Sequence, residues 1–230
     1  MQAKQRVRER IWGRLESERV ARFPGARGRI PNFRGAEAAA ERLAELPEWT
    51  AAGVVKSNPD APQLPVRRRA RRDGKTLYMA VPRLADEKPF VRVEGDPTIK
   101  KALAEGAPVP VEGLGHVDLV VCGTVAVNHA GVRVGKGGGY SDLELALLVE
   151  AGLVDDATTI VTTVHPLQLL DEELPETAHD FHVDLIVTPD AVVRAHTRRR
   201  SPGIVWEHLD TETVHDIPVL AARQRRRRSR

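Results

Sequence analysis

One stretch, Gly131-Val132-Arg133-Val134-Gly135-Lys136-Gly137-Gly138-Gly139-Tyr140-Ser141-Asp142, constrains this chain more than any other. Four of the five residues 135–139 are glycine. Glycine lets the backbone turn where other residues cannot and lets N–H groups approach a ligand closely. Before it runs the apolar Val117-Asp118-Leu119-Val120-Val121, and after it Leu143-Glu144-Leu145-Ala146-Leu147-Leu148. That order reads strand, loop, helix, a junction at which amides and the positive end of a helix dipole face an anion. A phosphate, most simply that of a nucleotide, is the expected guest; a flexible hairpin is the alternative. The spacing is not that of a Walker A loop, because Gly137 rather than Ser or Thr follows Lys136. It does not match the dinucleotide Gly-x-Gly-x-x-Gly fingerprint either.

The rest of the chain alternates helical patterns with short, nearly continuous apolar runs. Residues 3–20 place Val7, Ile11, Trp12 and Leu15 at helical spacing. A second helix is expected over 36–46 and strands over 51–56, 75–81, 117–121, 158–164 and 183–188. A short strand is expected at 90–93, and one or two helical turns over 97–105. Residues 66–72 read as a helix or an arginine-rich loop, and a helix should run from about Ser141 to Ala151. Residues 166–180 read as an acidic loop, and the segment from Trp206 to Arg223 as helical pieces broken near Pro218. This alternation predicts an α/β fold, a three-layer α/β/α arrangement about a mostly parallel sheet. Ligands in such folds sit beyond the carboxyl ends of the strands, which would place both the glycine loop and His165 at that edge.

Composition narrows the class. Of the 230 residues, 41% are hydrophobic but only 4% aromatic, so Leu, Val, Ala and Ile must fill the core. No apolar run approaches the ~20 residues that span a bilayer. The basic stretch after Met1 lacks an apolar segment of the secretory kind. Cys122 is the only cysteine, which excludes an internal disulfide and a cysteine-cluster metal site. A cytoplasmic protein without membrane partners is therefore expected. The net charge of +3 is concentrated in arginine runs at 67–72, 198–200 and 225–230. Such runs suit solvated loops and a frayed tail, or non-specific RNA binding through the tail.

Candidate site residues gather around the glycine loop. Lys4 and Arg8, one turn apart on the first helix, could clamp phosphates or stay solvated. Asp142 stands at a helix start, where it could cap N–H groups or hold Mg²⁺ beside phosphate oxygens. Asp184 interrupts the apolar Val183-Asp184-Leu185-Ile186-Val187-Thr188; it faces solvent near a strand end or is buried with a partner such as a metal. His165, His179 and His182 lack metal-ligand spacing and read as structural, or as general acid/base or substrate contacts. Cys122 reads as a small apolar residue, and Ser141 has no triad partners.

Together these residues resemble the 5-formyltetrahydrofolate cyclo-ligase family, also called methenyltetrahydrofolate synthetase. The matching pieces are Lys4 and Arg8 in the first helix, Asp118-Leu119-Val120, and the segment from Gly131 to Asp142 with Ser141 in place of a second tyrosine. Leu174-Pro175, His179-Asp180 and Val183-Asp184-Leu185-Ile186-Val187-Thr188 follow in the family's order. A closer likeness is to the branch of methenyltetrahydrofolate synthetase domain-containing proteins, carried by Ile30-Pro31-Asn32-Phe33, by residues 55–63, by Pro82-Arg83-Leu84 and by Gly135 to Glu144.

The resemblance implies a NagB/RpiA-like fold over residues 1–205, with 206–230 as a helical segment and arginine-rich tail. It implies an ATP- and Mg²⁺-dependent ligase that closes 5-formyltetrahydrofolate to 5,10-methenyltetrahydrofolate, releasing ADP and phosphate. In that chemistry the formyl oxygen attacks the γ-phosphate, N10 then attacks the activated carbon, and phosphate leaves. Lys136 and Arg133 would be catalytic. Lys4, Arg8, Gly135, Lys136, Gly137, Gly138, Gly139 and Tyr140 would bind ATP, and Asp142 and Asp184 would hold Mg²⁺. Sites built of cations and amides without a nucleophilic side chain suit phosphoryl transfer. The rival readings are a non-catalytic nucleotide- or folate-binding protein and an RNA-associated protein on the same fold.

Overall fold

The computed structural model describes residues 2–228; Met1, and Ser229 and Arg230 of the last arginine run, lie outside the described residues. In chain order the elements are α1 (Gln2–Ser17), α2 (Ala36–Ala44), α3 (Pro47–Ala51), β1 (Val54–Ser57), α4 (Leu64–Arg72) and β2 (Thr76–Ala80). Next come β3 (Phe90–Arg92), α5 (Ile99–Glu105), β4 (Ala107–Val109), β5 (Leu119–Cys122), β6 (Ala126–Asn128), β7 (Arg133–Val134) and α6 (Tyr140–Glu150). The chain closes with β8 (Thr159–Thr163), β9 (Leu169–Leu170), β10 (Leu185–Val187), β11 (Val192–Arg194), α7 (Thr211–Asp216) and α8 (Pro218–Arg228).

The main sheet has the order β11-β10-β8-β5-β1-β2-β3-β4. From β10 to β2 every pairing is parallel, with Val55 opposite both Leu77 and Leu119. The edges are antiparallel: β11 pairs with β10, and β3 and β4 turn back along β2. The three-layer α/β expectation is met, with antiparallel edges that the sequence pattern did not resolve. Side chains alternate across the sheet with period two. Leu119 and Val121 pack beneath α2, α3 and α4, whereas Val120 and Cys122 join α6, α7 and α8 on the other face. Both faces being covered explains why the central strands read as continuous apolar runs.

The glycine segment does not follow the central strand directly. At Gly123 the chain leaves the main sheet and forms a second, smaller one, β7-β6-β9. A Cβ at Gly123 would stand 2.9 Å from Ile30 and 3.0 Å from the Asp60 carboxylate, so only glycine fits this exit. α1 lies on the small sheet and buries Val7, Ile11, Trp12 and Leu15 against Val125, Ala126, Val132 and Val134. Burial of each such aliphatic side chain contributes roughly 1.5–3 kcal/mol. The phosphate-loop candidate is thus joined to the N-terminal helix through a shared core.

Many of the clustered arginines serve the fold. Arg67, almost fully buried, donates to the carbonyls of Asn58, Asp60 and Pro97, and its burial lowers its pKa to about 10. Arg69 pairs with Asp73 at 2.7 Å, and Arg72 with Glu41 at 2.8 Å. Val214, Ile217, Val219 and Leu220 carry α7 and α8 into the core beside α6, and Arg223 pairs with Glu112 and Glu150. Among the described residues no helix is long and apolar enough to cross a membrane.

Candidate functional site

β7 presents its residues alternately. Val132 and Val134 face α1, which turns the intervening Arg133 to the opposite side. There its guanidinium lies 4.3 Å from the Phe181 ring centre, donates to the Gly123 carbonyl, and meets Asp142 Oδ1 at 2.9 Å. Burial opposes its charge, but the neighbouring carboxylates of Asp142 and Asp180 hold its pKa above the ordinary value. Arg133, which the resemblance implies to be catalytic, is 4% exposed and paired with Asp142.

Beyond β7 the loop turns on Gly137 (φ +112°) and Gly139 (φ +69°), left-handed conformations that favour glycine. Gly139 is the N-cap of α6, and the first turn of that helix carries Asp142. Lys4 and Arg8 project from α1 over this loop. Arg8 Nε donates to the Gly135 carbonyl at 2.7 Å. Burial lowers the Arg8 pKa, against the pull of Asp142 and then Asp180. Lys4 Nζ lies 2.7 Å from Asp180 Oδ1 and 2.5 Å from Oδ2. Lys136 Nζ, which is substantially exposed, reaches back to Asp60 Oδ1 at 2.9 Å. The glycine loop, Lys4, Arg8, Lys136 and Asp142 therefore lie together at the carboxyl edge of the sheet. Tyr140 opens α6 beside them; a Cβ on Gly138 would press to 2.9 Å from its ring.

Asp184 does not belong to this assembly. It precedes β10, at the amino edge of the sheet, where its Oδ2 accepts from the Ile160 amide at 2.8 Å and from Arg200 at 3.0 Å. The structure therefore does not bring Asp184 together with Asp142; the carboxylate it sets beside Lys4 is Asp180. An isolated bridge between Val132 and His182 ties the 177–182 segment to the β7 hairpin and thereby sets Asp180 beside Lys4. Burial would raise the Asp180 pKa, but Lys4 and the Thr177 amide outweigh it and hold it below the usual carboxylate value. The sequence does carry this residue, in His179-Asp180, but a loop position gave no reason to prefer it to a carboxylate inside a strand.

Mg²⁺ fits these residues in one manner. Among the described residues no three His, Cys, Asp or Glu side chains form a metal cluster, which excludes a cage made of protein alone. Mg²⁺ is commonly held by one or two carboxylates, with phosphates and water filling the remaining positions. The two carboxylates whose charges act on both Arg8 and Arg133 are Asp142 and Asp180.

Beneath the loop lies a feature the sequence did not announce. Lys56 on β1 and Glu144 on α6, at 1% and 4% exposure, are paired, and Asn58 Nδ2 donates to the same Glu144 oxygen at 2.9 Å. Burial pushes the Glu144 carboxyl up against the pull of Lys56. The histidines take structural parts. His165 Nδ1 caps the turn at 166–168 by accepting from the Leu167 amide, and buried His182 lies between Thr197 and Glu176. His179 touches Thr177 and His208 at the margin of the site. Cys122 is wholly buried.

Comparison with known proteins gives the family and the fold. The model of the 5-formyltetrahydrofolate cyclo-ligase family matches residues 1–189. A mouse methenyltetrahydrofolate synthase domain-containing protein is 41% identical over 234 residues, which cover 95% of this chain and 62% of that one. Its human counterpart is 39% identical, covering 95% of this chain and 60% of that one. The chain thus spans somewhat under two thirds of the length of these relatives. Among solved structures, the Aquifex aeolicus 5,10-methenyltetrahydrofolate synthetase superposes with a TM-score of 0.56 at 22% identity, covering 90% of this chain and 99% of that one. At that identity the likeness establishes the fold.

Proposed function

Since the chain belongs to the 5-formyltetrahydrofolate cyclo-ligase family, we propose that it closes 5-formyltetrahydrofolate to 5,10-methenyltetrahydrofolate at the expense of ATP. The observation that carries this reading is the convergence of Lys4, Arg8 and Lys136 on the glycine loop at the start of α6. Amides from Gly135 to Tyr140 would cradle the triphosphate, while Lys4, Arg8 and Lys136 neutralise charge that grows on the transferring phosphoryl group. Phosphoryl transfer gains most from positioning and electrostatic stabilisation, which is what such a site offers. Asp142 and Asp180 would hold Mg²⁺, which would supply positive charge to offset that of the phosphates. Arg133 keeps Asp142 aimed at the loop, and Lys4 keeps Asp180 in place.

The formyl oxygen bonds to the γ-phosphorus as ADP departs. N10 then bonds to the activated carbon and gives up its proton to solvent, and the C–O bond breaks to release inorganic phosphate. None of these steps requires a nucleophilic side chain, in keeping with an inert, buried Cys122. The reading is tested by incubating the full chain with 5-formyltetrahydrofolate and Mg²⁺ and following near-ultraviolet absorbance. The methenyl product should form only when ATP is added. ATP binding without any absorbance change would leave a nucleotide-binding protein and remove the ligase.

A further inference from the structure

Among the described residues, each charged group of the loop region has an ion-pair partner except Arg8, whose guanidinium donates to the Gly135 carbonyl and the Gln5 amide oxygen. Lys4 is paired with Asp180, Arg133 with Asp142 and Lys136 with Asp60. The first two carboxylates have a place in the phosphate site. Asp60 has none so far, and it is built differently.

Asp60 is anchored through its backbone. Its backbone carbonyl accepts from the buried Arg67 at 3.1 Å, and the same nitrogen holds the Asn58 carbonyl at 2.6 Å. Its other carboxylate oxygen is wedged at Gly123, where a Cβ would come within 3.0 Å. The Asp60 side chain is 16% exposed; that of Lys136 is 44% exposed, on a loop flanked by glycines. One partner of the 2.9 Å ion pair is therefore largely enclosed by the scaffold and the other largely exposed on the loop.

We infer that Asp60 competes with phosphate for Lys136 and so sets an affinity threshold for anions at the glycine loop. This rests on the phosphate-site reading above. An anion gains the lysine only by drawing it from the Asp60 carboxylate, so its apparent affinity falls by the fraction of time Lys136 is unpaired. The reduction is the same for every anion that uses Lys136. A lone orthophosphate, with few contacts, falls below useful occupancy, whereas a polyphosphate that also reaches Lys4, Arg8 and the loop amides remains bound. Asp60 would thus keep the loop free of the abundant monovalent and divalent anions that a bare cluster of Lys and Arg collects.

The test is calorimetric titration of the full chain with inorganic tripolyphosphate, and separately with orthophosphate. Four proteins are compared: the parent chain, Asp60→Asn, Lys136→Ala and the double variant. Asp60→Asn keeps the backbone carbonyl that Arg67 holds. It should tighten tripolyphosphate binding by roughly threefold to tenfold, and Asp60→Glu should restore the parent value. In the Lys136→Ala background the gain from Asp60→Asn should disappear, an outcome that a merely structural role for Asp60 would not produce. Equal or weaker binding by Asp60→Asn, or a gain that persists without the lysine, would overturn the inference while leaving the phosphate site standing. Absence of tripolyphosphate binding in all four proteins would overturn the phosphate site and this inference together.

Discussion

The two edges of the parallel sheet both carry aspartates beside basic side chains, and the contrast between them separates scaffold from site. At the amino edge, Asp184 accepts from the Ile160 amide and Asp118 accepts from the amides of Gly53 and Val54, each at 2.8 Å. Arg200, which pairs with Asp184, also donates to the Thr158 carbonyl. These groups satisfy backbone atoms left open where strands begin. At the carboxyl edge, Asp60, Asp142 and Asp180 are engaged by Lys136, Arg133 and Lys4, two cations from the β7–α6 segment and one from α1. A carboxylate that accepts from the amides at strand starts closes the sheet, whereas one engaged by a cation of the glycine loop or of α1 stands where that cation could also meet a ligand.

The largest expected effect comes from the support beneath the carboxyl edge. Lys56→Ala should leave Glu144 buried without its cation and cost about 3–5 kcal/mol of stability, measured by urea unfolding. Lys56→Met combined with Glu144→Leu should recover most of that loss, because paired removal avoids the stranded charge. Failure of the double change to recover would mean that the pair itself shapes the site.

Next comes the loop lysine. Lys136→Ala should lower kcat/KM for ATP-driven ring closure by an amount worth ~2–4 kcal/mol, while stability shifts by less than ~0.5 kcal/mol. Equal kinetics in the parent chain and this variant would place the chemistry elsewhere. The two edges are then compared directly by Asp184→Asn and Asp180→Asn. The first should cost ~1–3 kcal/mol of stability through its buried amide partner and leave kcat/KM intact. The second should depress kcat/KM and its dependence on Mg²⁺ concentration. A variant of Asp184 that folds normally but loses Mg²⁺ dependence would reverse the assignment made here.

The smallest effect is one of pH. Lys4 and the Thr177 amide hold the Asp180 pKa below its unfolded value despite burial. Its contribution to stability is therefore fully present above the unfolded pKa, ~3.9, and is lost as pH falls through the native value. Acid unfolding of Asp180→Asn should accordingly be shallower in that window than that of the parent chain. An identical acid limb would show that the Lys4 pair contributes nothing to the native state.

Much of the fold is legible in the sequence because each central strand is covered on both faces and reads as an apolar run. The phosphate site is legible through its glycines and through Lys4 and Arg8, whose spacing puts both on one helix face. The β6–β7 hairpin is hidden because the apolar stretch from Leu119 to Val127 is interrupted only by Gly123 and Thr124. The exchange of Asp184 for Asp180 has a similar origin. Strand periodicity tells which face a side chain takes but not which end of the sheet it occupies, and Asp184 sits at the end where strands start. The Lys56–Glu144 pair joins residues 88 positions apart, and nothing local to either marks it.

The central claim is that the cations of the carboxyl edge act together on one polyphosphate. It is tested most directly by calorimetric titration of the full chain with ATP in the presence of Mg²⁺, comparing the parent with Arg8→Ala, Lys136→Ala and Asp184→Asn. The account predicts binding weakened by roughly tenfold or more in the first two variants and unchanged in the third. Equal affinity in all four proteins, or a loss confined to Asp184→Asn, would contradict it.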